Sequence, residues 1–338
     1  MTQSQYEVLS NQAIVVAAAL YFVAFLVHLA EWAKGRTVVA EAATATRTGA
    51  ESGAESGAVA GTDATTTVAA PPTEDAESRR ERLARIGLVL TTVGAGVQVT
   101  AVLSRGLAAG RVPWGNMYEF TMTATMMVVL GYLLLYRKFG LDWLSPIVTG
   151  FSVVVLMADV LLLYDPVTEL RDALQSPWLV IHVISAITAT GAFTLGGMAS
   201  ALYLVKDRRL RKQAEAGQES GTSEPGDGYL DRIPGLEQLD RFAYRTTAFA
   251  FPVWTFAALI TGPIWAQAAW GRYWGWDPKE VWAFITWVVY AAYLHARATA
   301  GWKGRAAAIV ALIGLATLWF NFVGINFFFG SGSQHSYA

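Results

Sequence analysis

Long apolar blocks separated by short polar segments are the feature that most limits how this chain can fold. Eight of these blocks are long enough to cross the hydrocarbon core of a bilayer, which takes about 20 residues of helix. They lie at 12–33, 86–104, 118–136, 147–164, 178–205, 246–268, 281–299 and 306–328. Only 15% of the residues are charged, against about 25% in an ordinary soluble domain. The sequence therefore predicts an all-α integral membrane protein with about eight transmembrane helices.

The polar segments divide the chain into three parts. Residues 1–36 contain the first predicted transmembrane helix, which we expect to be retained because it lacks a basic leader and a cleavage site. Residues 37–85 are rich in Ala, Thr, Gly, Ser and Glu and are predicted to form a disordered cytoplasmic linker. Residues 86–338 are predicted to form a membrane domain of seven helices.

The basic residues are distributed unevenly between the predicted loops. The odd-numbered loops hold 20 of the 25 Lys and Arg residues. Because basic residues favour the cytoplasmic side, this asymmetry predicts that both termini and the even-numbered loops face outward. The net charge of −1 provides no field that would attract an anionic polymer, so no nucleic-acid partner is expected.

The chain has no cysteine and only four histidines. It therefore has no disulfide, no thiolate metal site and no haem-attachment motif of its own. The predicted topology places His182 and His335 near the outer surface, and His28 and His295 near the cytoplasmic ends of their helices. Two pairs at two depths are what two haem sites with paired imidazole ligands require. Any one of these histidines alone is equally typical of an interfacial side chain that reaches water.

Residues 262–287 are unusually aromatic and hold six of the 13 tryptophans. The tryptophan and tyrosine residues of this run are Trp265, Trp270, Tyr273, Trp274, Trp276, Trp282 and Trp287. An aromatic belt at the membrane interface is the ordinary explanation, but this density favours a platform for a flat, apolar ligand with polar edges. Asp277 is counted with this platform, and its place before Pro278 is also typical of a turn or helix N-cap. Arg272 and Lys279 are candidate partners for haem propionates or ordinary interfacial anchors.

The run WGRYWGWDPKEVW, with the YLH that follows in the seventh predicted helix, resembles a known signature. It is similar to the tryptophan-rich WWD domain of the CcsA and ResC proteins of system II cytochrome c maturation, which are related to CcmC and CcmF. NMYEF (Asn116 to Phe120) and HSYA (His335 to Ala338) resemble segments of the CcsA subfamily. The resemblance covers most of residues 86–338. It implies that the chain carries haem b to the outer membrane face and presents it to the CxxCH motif of apocytochrome c.

The resemblance also implies roles for particular residues. His182 and His335 are expected to ligate the haem iron at an external site beside the tryptophan-rich loop. His295 is expected to belong to an inner haem site, with His28 as a less closely matched partner. Separately, Asn116 and Glu119 at the outer start of the third predicted helix either bind at an outer vestibule or fix a loop.

Further expectations concern partners and location. The resemblance implies a ResB/CcsB-type membrane protein as the direct partner, apocytochrome c as the acceptor, and thioredoxin-like proteins that keep its thiols reduced. The expected location is the plasma (inner) membrane, with many passes through the lipid bilayer and the tryptophan-rich loop on the outer face. The sequence leaves open whether the chain is catalytic alone or only within a holocytochrome c synthase complex.

Three other functions remain compatible with these patterns. The chain could be an exporter of haem or another hydrophobic solute without attachment activity. It could be a b-type membrane cytochrome, although such proteins usually place their ligands within facing helices, whereas His335 follows the last predicted helix. It could be a structural subunit whose tryptophan-rich loop only docks a partner.

Overall fold

The computed structural model describes residues 1–52, 74–167, 176–220 and 229–329, and throughout these ranges the secondary structure is helical, without strands. The helices are α1 (Gln3–Ser52), α2 (Glu74–Ala109), α3 (Met117–Phe139), α4 (Ser145–Leu162), α5 (Pro177–Ser220), α6 (Tyr229–Arg232), α7 (Leu236–Thr255), α8 (Gly262–Trp270), α9 (Pro278–Thr299), α10 (Arg305–Trp319) and α11 (Ile325–Phe328). A short 3₁₀ helix, Leu141–Leu144, joins α3 to α4.

Seven helical stretches of the described residues are long and apolar enough to cross a membrane. They are Gln3–Trp32, Ser78–Ala109, Met117–Phe139, Leu141–Leu162, Pro177–Glu215, Leu236–Trp270 and Arg305–Phe328. The prediction of an all-α membrane protein is therefore confirmed. Only the predicted span at 281–299, which forms most of α9, is missing from this set. Its Trp, Tyr, His and Arg residues lower its hydropathy.

Helix α9 nevertheless runs antiparallel along α7. Near its C-terminus, Arg297 forms a two-pronged ion pair with Asp240 at the start of α7, with Nη1–Oδ1 and Nη2–Oδ2 distances of 2.7 and 2.8 Å. Near the middle of α9, the indole Nε1 of Trp287 donates to Thr255 Oγ1, at the end of α7, over 2.9 Å. Because these contacts lie at both ends of α7, α9 runs alongside the full length of α7.

Two long helical spans contain a π-helical segment. Phe256–Thr261 joins α7 to α8, and Phe320–Gly324 joins α10 to α11. In the first segment the Gly262 N–H donates to the Ala257 carbonyl, five residues back. Such insertions shift the side chains that follow and are frequent at functional sites. Both segments border the cavity that contains His182.

The rest of the bundle is held by small residues and buried interhelical hydrogen bonds. Tyr21 on α1 donates to Gln98 Oε1 on α2 over 2.7 Å, and Gln98 Nε2 donates to the Met122 carbonyl on α3 over 2.9 Å. A Cβ on Gly94 would lie 2.9 Å from the ring of Tyr21, so only glycine permits this packing. Close approach of this kind is typical of helices that associate within a bilayer.

The predicted linker at 37–85 is helical at both of its ends. Helix α1 continues to Ser52, and α2 begins at Glu74. The alanine and charged residues of these stretches favour helix, which explains why the helices run past the apolar blocks. Residues 53–73 lie outside the described residues, so disorder there stays a prediction.

Candidate functional site

A cavity of about 130 Å³ lies at the end of the bundle where α3 and α5 begin and where α8 leads into the tryptophan-rich loop. Its walls come from α3, α5, α7, α8, α9 and α10, together with both π-helical segments. The residues that give it chemical character are Phe120, His182, Trp265, Trp274, Lys279, Glu280, Asn321 and Phe322. The cavity thus brings together one imidazole, one amine, one carboxylate and several aromatic rings.

His182 is held in one orientation by the backbone of the first π-helical segment. Its Nδ1–H donates to the Ala257 carbonyl over 2.9 Å. In a neutral imidazole this bond fixes the tautomer in which Nε2 carries the lone pair. Histidines that bind metals are usually oriented through the other ring nitrogen in this way. The geometry therefore orients the His182 ring in the way that metal-binding histidines are oriented.

An aromatic wall supports His182. The ring of Trp265 stacks on the imidazole with a centroid distance of 5.9 Å and an interplanar angle of 17°, and Trp270 meets Trp265 edge-on at 4.8 Å. Trp265 is fully buried. Gly262 permits this arrangement, because a Cβ there would lie 3.3 Å from the imidazole Cε1 and Nδ1. Stacked and edge-on pairs of this kind stabilise by about 0.5–1.5 kcal/mol beyond area burial, so the wall fixes the imidazole ring.

The loop after α8 is clamped by Glu280. The Glu280 carboxylate accepts from the N–H of Gly275 over 2.8 Å and from the N–H of Asp277 over 3.1 Å. Asp277 caps α9 by accepting from the Lys279 N–H over 2.9 Å, which completes a capping box. Capping is one of the two roles that the sequence predicts for Asp277. Two buried carboxylates therefore fix the backbone conformation of this loop.

Trp276 lies between the two amides that Glu280 holds, and it has a left-handed backbone. Its φ of 57° is the one positive φ at a non-glycine among the described residues. A bulky residue in this conformation costs about 1–3 kcal/mol, and the Glu280 clamp opposes that strain. The side chain is 70% exposed, and the neighbouring Tyr273 is 61% exposed. These two rings are therefore exposed on the loop, and Trp276 meets the cavity-lining Trp274 edge-on at 5.9 Å.

The predicted aromatic platform is thus divided in two. Trp265 and Trp274 line the cavity, and Trp270 supports Trp265 from behind. Trp282 on α9 packs on Phe320 of the second π-helical segment at 4.2 Å. The chain brings only part of the tryptophan-rich run to His182.

Two buried polar atoms of the cavity have no hydrogen-bond partner among the residues that the structure describes. They are the indole Nε1 of Trp274 and Oδ1 of Asn321. A buried donor without a partner costs roughly 1–3 kcal/mol, so its presence beside a cavity indicates a polar ligand. The Trp274 N–H and the Lys279 amine suit a carboxylate. The Arg272 guanidinium lies over Gly275 instead, where a Cβ would collide with it.

Burial lowers the pKa of Lys279 to about 7, and the negative charge of Asp277 opposes this shift. The amine is therefore charged below about pH 7 and loses its proton as the pH rises through that value. A carboxylate bound beside it would favour the charged form and raise the pKa. Binding of an anionic ligand and protonation of Lys279 are thus linked.

From this linkage we expect the affinity for hemin to fall as the pH rises above about 7. The expected loss is about tenfold for each unit by which the bound carboxylate raises the pKa of Lys279. Lys279→Arg stays charged throughout this range, so its affinity for hemin should change little above pH 7. Any change that this variant does show comes from other titrating groups. The measurement is a hemin titration of both proteins between about pH 6 and 9. Identical profiles for wild type and Lys279→Arg would contradict the assignment.

The other three histidines do not join His182 among the described residues. His335 lies outside them. His28 is buried between α1 and α2, with its Nδ1 3.4 Å from Glu31 Oε2 and its ring pressed against Gly87. His295 is exposed on α9. No contact joins His28 and His295 in the described part of the chain, so the inner haem site stays a prediction.

Asn116 and Glu119 belong to a buried ionic network beside the cavity. Asn116 caps α3 by accepting from the Glu119 N–H over 2.8 Å. The Glu119 carboxylate pairs with Arg105 Nε at 3.0 Å and with Arg111 Nη1 at 2.6 Å. Both Glu119 and Arg105 are fully buried. The contacts match loop fixation, the second of the two roles that the sequence leaves open, and the next residue, Phe120, lines the cavity.

Sequence reasoning does not identify several cavity residues. From the sequence, Glu280 is a candidate proton donor or ion-pair partner, with turn capping and charge pairing favoured, and Asn321 is a candidate for interhelical hydrogen bonds. Ala257 contributes its backbone carbonyl, so its side chain gives no signal in the sequence. The available signal for Glu280 is its place three residues after Asp277, which is the spacing of a capping box.

Comparison with known proteins confirms the family that the tryptophan-rich run resembles. The family model described as "Cytochrome C assembly protein" matches residues 114–331, more than half of the chain. A "Cytochrome c biogenesis protein CcsA" of Guillardia theta is 36% identical over 258 residues, covering 73% of this chain and 84% of the relative. A CcsA protein of Prochlorococcus marinus is 34% identical over 249 residues, covering 69% and 78%.

A solved structure, "Cytochrome c Heme Lyase CcmF", has a similar fold. The TM-score is 0.58 at 15% sequence identity, and the match covers 96% of this chain and 49% of that one. At this identity the likeness concerns the fold alone. The fold match includes α1 and α2, which precede the residues matched by the family model.

Proposed function

Because the chain belongs to the CcsA family of cytochrome c biogenesis proteins, with a role in cytochrome c maturation, we propose that it binds haem b beside His182. The bound haem is presented on the outer membrane face for covalent attachment to the CxxCH motif of apocytochrome c. The chain acts in the plasma membrane with a ResB/CcsB-type protein. Thioredoxin-like proteins act indirectly by keeping the apocytochrome thiols reduced.

The observation that carries this proposal is the hydrogen bond from His182 Nδ1 to the Ala257 carbonyl. It presents Nε2 as the donor atom for an iron ion. Trp265 supplies a parallel aromatic face. Trp274 and Lys279 supply a hydrogen-bond donor and an amine that suit a propionate. An imidazole, an aromatic face and a site for a carboxylate are together what haem requires.

The cavity encloses only part of such a ligand in this conformation. A cavity of about 150 Å³ holds a molecule of the size of benzene, and this one is about 130 Å³. A bound haem therefore keeps part of its macrocycle outside the cavity, near the exposed Trp276 and Tyr273. That placement leaves an edge accessible to the acceptor. The acceptor supplies both thiols, since this chain has no cysteine.

His335 is proposed as the second axial ligand. It follows α11 by seven residues, counting from Phe328. An extended chain of that length reaches roughly 24 Å at most. Phe320, just before α11 in the chain, stacks on Phe328, and the next two residues, Asn321 and Phe322, line the cavity. The chain is therefore long enough for His335 to approach His182.

The b-type cytochrome remains the weaker alternative. Such a protein needs histidines that face each other from neighbouring helices, and the described residues contain no such pair. An exporter without attachment activity would bind haem in the same cavity. Measuring holocytochrome separates the two, because an exporter alone need not produce any.

Titration with hemin tests haem binding directly. The chain is purified with its ResB/CcsB-type partner and stripped of pigment, and absorption spectra are recorded in both oxidation states as hemin is added. We expect saturable binding with a low-spin spectrum typical of two imidazole ligands. Absence of saturable binding would contradict the proposal.

A further inference from the structure

A groove of about 660 Å³ lies on the flank of the bundle, between α1, α4 and α6. Its walls are almost wholly apolar. On α1 the wall is a single helical face whose members recur every three or four residues: Phe22, Phe25, Leu29 and Trp32. On α4 the wall comes from residues 146–154 in the first half of the helix. The groove is therefore a long apolar space between two helices that are both apolar enough to cross a membrane.

The groove opens sideways, toward the acyl chains of the bilayer. The exposed fraction of its lining residue Val154 is 69%, and that of Phe22 is 49%. Inside the groove, Gly150 of α4 lies against the ring of Phe25, where a Cβ would be 3.0 Å from a ring carbon. The two helices thus touch within the groove, which leaves a narrow cleft rather than a gap that separates them.

One end of the groove carries the residue types that collect at the level of lipid headgroups. Trp32 and Tyr229 meet edge-on at 4.8 Å, and the Arg80 guanidinium lies 5.8 Å from the Trp32 ring. The Arg80 side chain is 47% exposed, and its Nε lies 3.9 Å from Glu31 Oε1, which is longer than a hydrogen bond. The groove therefore combines an apolar length with an interfacial end that carries an accessible cation.

We propose that the groove binds one acyl chain of a phospholipid whose phosphate contacts Arg80. A guanidinium matches the oxygens of a phosphate, and the apolar walls match the chain. A partner helix is too wide for this space. From Phe22 to Trp32 the α1 wall is roughly 15 Å long, and a helix about 10 Å wide would need roughly 1,200 Å³ over that length. The groove offers about 660 Å³.

Paired tryptophan substitutions on both walls test this site. Val154→Trp on α4 and Leu29→Trp on α1 each place an indole in the groove. Leu161→Trp and Leu26→Trp are matched changes at lipid-facing positions of the same helices that do not line it. The native exposed fractions are 69% and 70% on α4, and 43% and 47% on α1. Each protein is purified with its ResB/CcsB-type partner, and the phospholipid phosphorus retained after detergent exchange is measured.

We expect each groove variant to retain about one phospholipid fewer per chain than its control, because added bulk in a packed space is poorly accommodated. A monodisperse elution peak shows that a variant is folded, and either wall alone suffices for the comparison. Equal phospholipid contents in the groove variants and their controls would overturn the site. Loss of the partner protein with unchanged phospholipid would assign the groove to a partner helix and overturn it as well.

The headgroup contact is tested with a defined lipid. The delipidated complex is titrated with radiolabelled phosphatidylglycerol, and Arg80→Gln is compared with Arg82→Gln, a change at an exposed position of α2 that does not line the groove. We expect Arg80→Gln to bind the lipid about fivefold more weakly, which is the usual effect of one basic residue beside an anionic lipid. Equal affinities of the two variants would overturn the assignment of the occupant as a phospholipid held by Arg80.

Discussion

Replacing His182 by glycine should reduce the affinity for hemin by at least roughly 100-fold. Loss of an orienting partner alone costs about 10–100-fold in metal sites, and this change removes the ligand itself. The low-spin spectrum should be replaced by that of a haem with a weaker ligand set. Added imidazole should restore it, because the substitution leaves a space of the right shape between Trp265 and Ala257.

The matched control is Ile181→Ala on the same turn of α5. Ile181 is 40% exposed and does not line the cavity. We expect its hemin affinity and spectrum to equal those of the wild type. Hemin titrations of the three proteins, with and without imidazole, provide the measurement. An unchanged low-spin spectrum in His182→Gly would remove His182 from the site.

The second large effect concerns stability. Glu119→Ala should destabilise the chain by roughly 3–5 kcal/mol, because it leaves a buried Arg105 without its nearest carboxylate. The same change removes the partner of Arg111 and of the Gly115 N–H. The loop before α3 should therefore loosen, and Phe120 should lose its fixed place in the cavity.

An exposed ion pair supplies the comparison. Glu237 pairs with Arg241 one helical turn away at the surface of α7, and pairs of this kind contribute about 0.3–0.5 kcal/mol. Glu237→Ala should therefore unfold at nearly the wild-type temperature. The loss of monodisperse protein in detergent is followed on heating for each variant. Equal unfolding temperatures for Glu119→Ala and Glu237→Ala would show that the buried network does not stabilise this end of the bundle.

The membrane architecture could be predicted from the sequence because the bilayer imposes a simple rule. Every spanning segment must satisfy its own backbone hydrogen bonds, so a long apolar block must be a helix. The apolar block at 281–299 also predicts α9, although its aromatic and polar side chains lower its hydropathy and keep it out of the seven stretches that are apolar enough to cross a membrane. Its position beside α7 could not be predicted, because the contacts of Arg297 and Trp287 join residues that lie far apart in the sequence.

The site could be predicted in part. The tryptophan-rich run indicates the right loop, and His182 lies in a cavity with Trp265 and Trp274. The outward position of Trp276 could not be predicted, because its left-handed backbone depends on the hydrogen bonds that Glu280 makes to both neighbouring residues. Likewise, no local pattern shows that Glu119 meets Arg105, 14 residues earlier.

The central claim is that this chain presents haem at His182 to apocytochrome c. The most direct measurement is covalent haem on an apocytochrome bearing a CxxCH motif, in cells without another maturation system. The chain, its ResB/CcsB-type partner and the apocytochrome are coexpressed. Our account predicts holocytochrome with the wild type and with Ile181→Ala, and almost none with His182→Gly unless imidazole is supplied. Equal holocytochrome with His182→Gly, or haem export without any holocytochrome in the wild type, would contradict it.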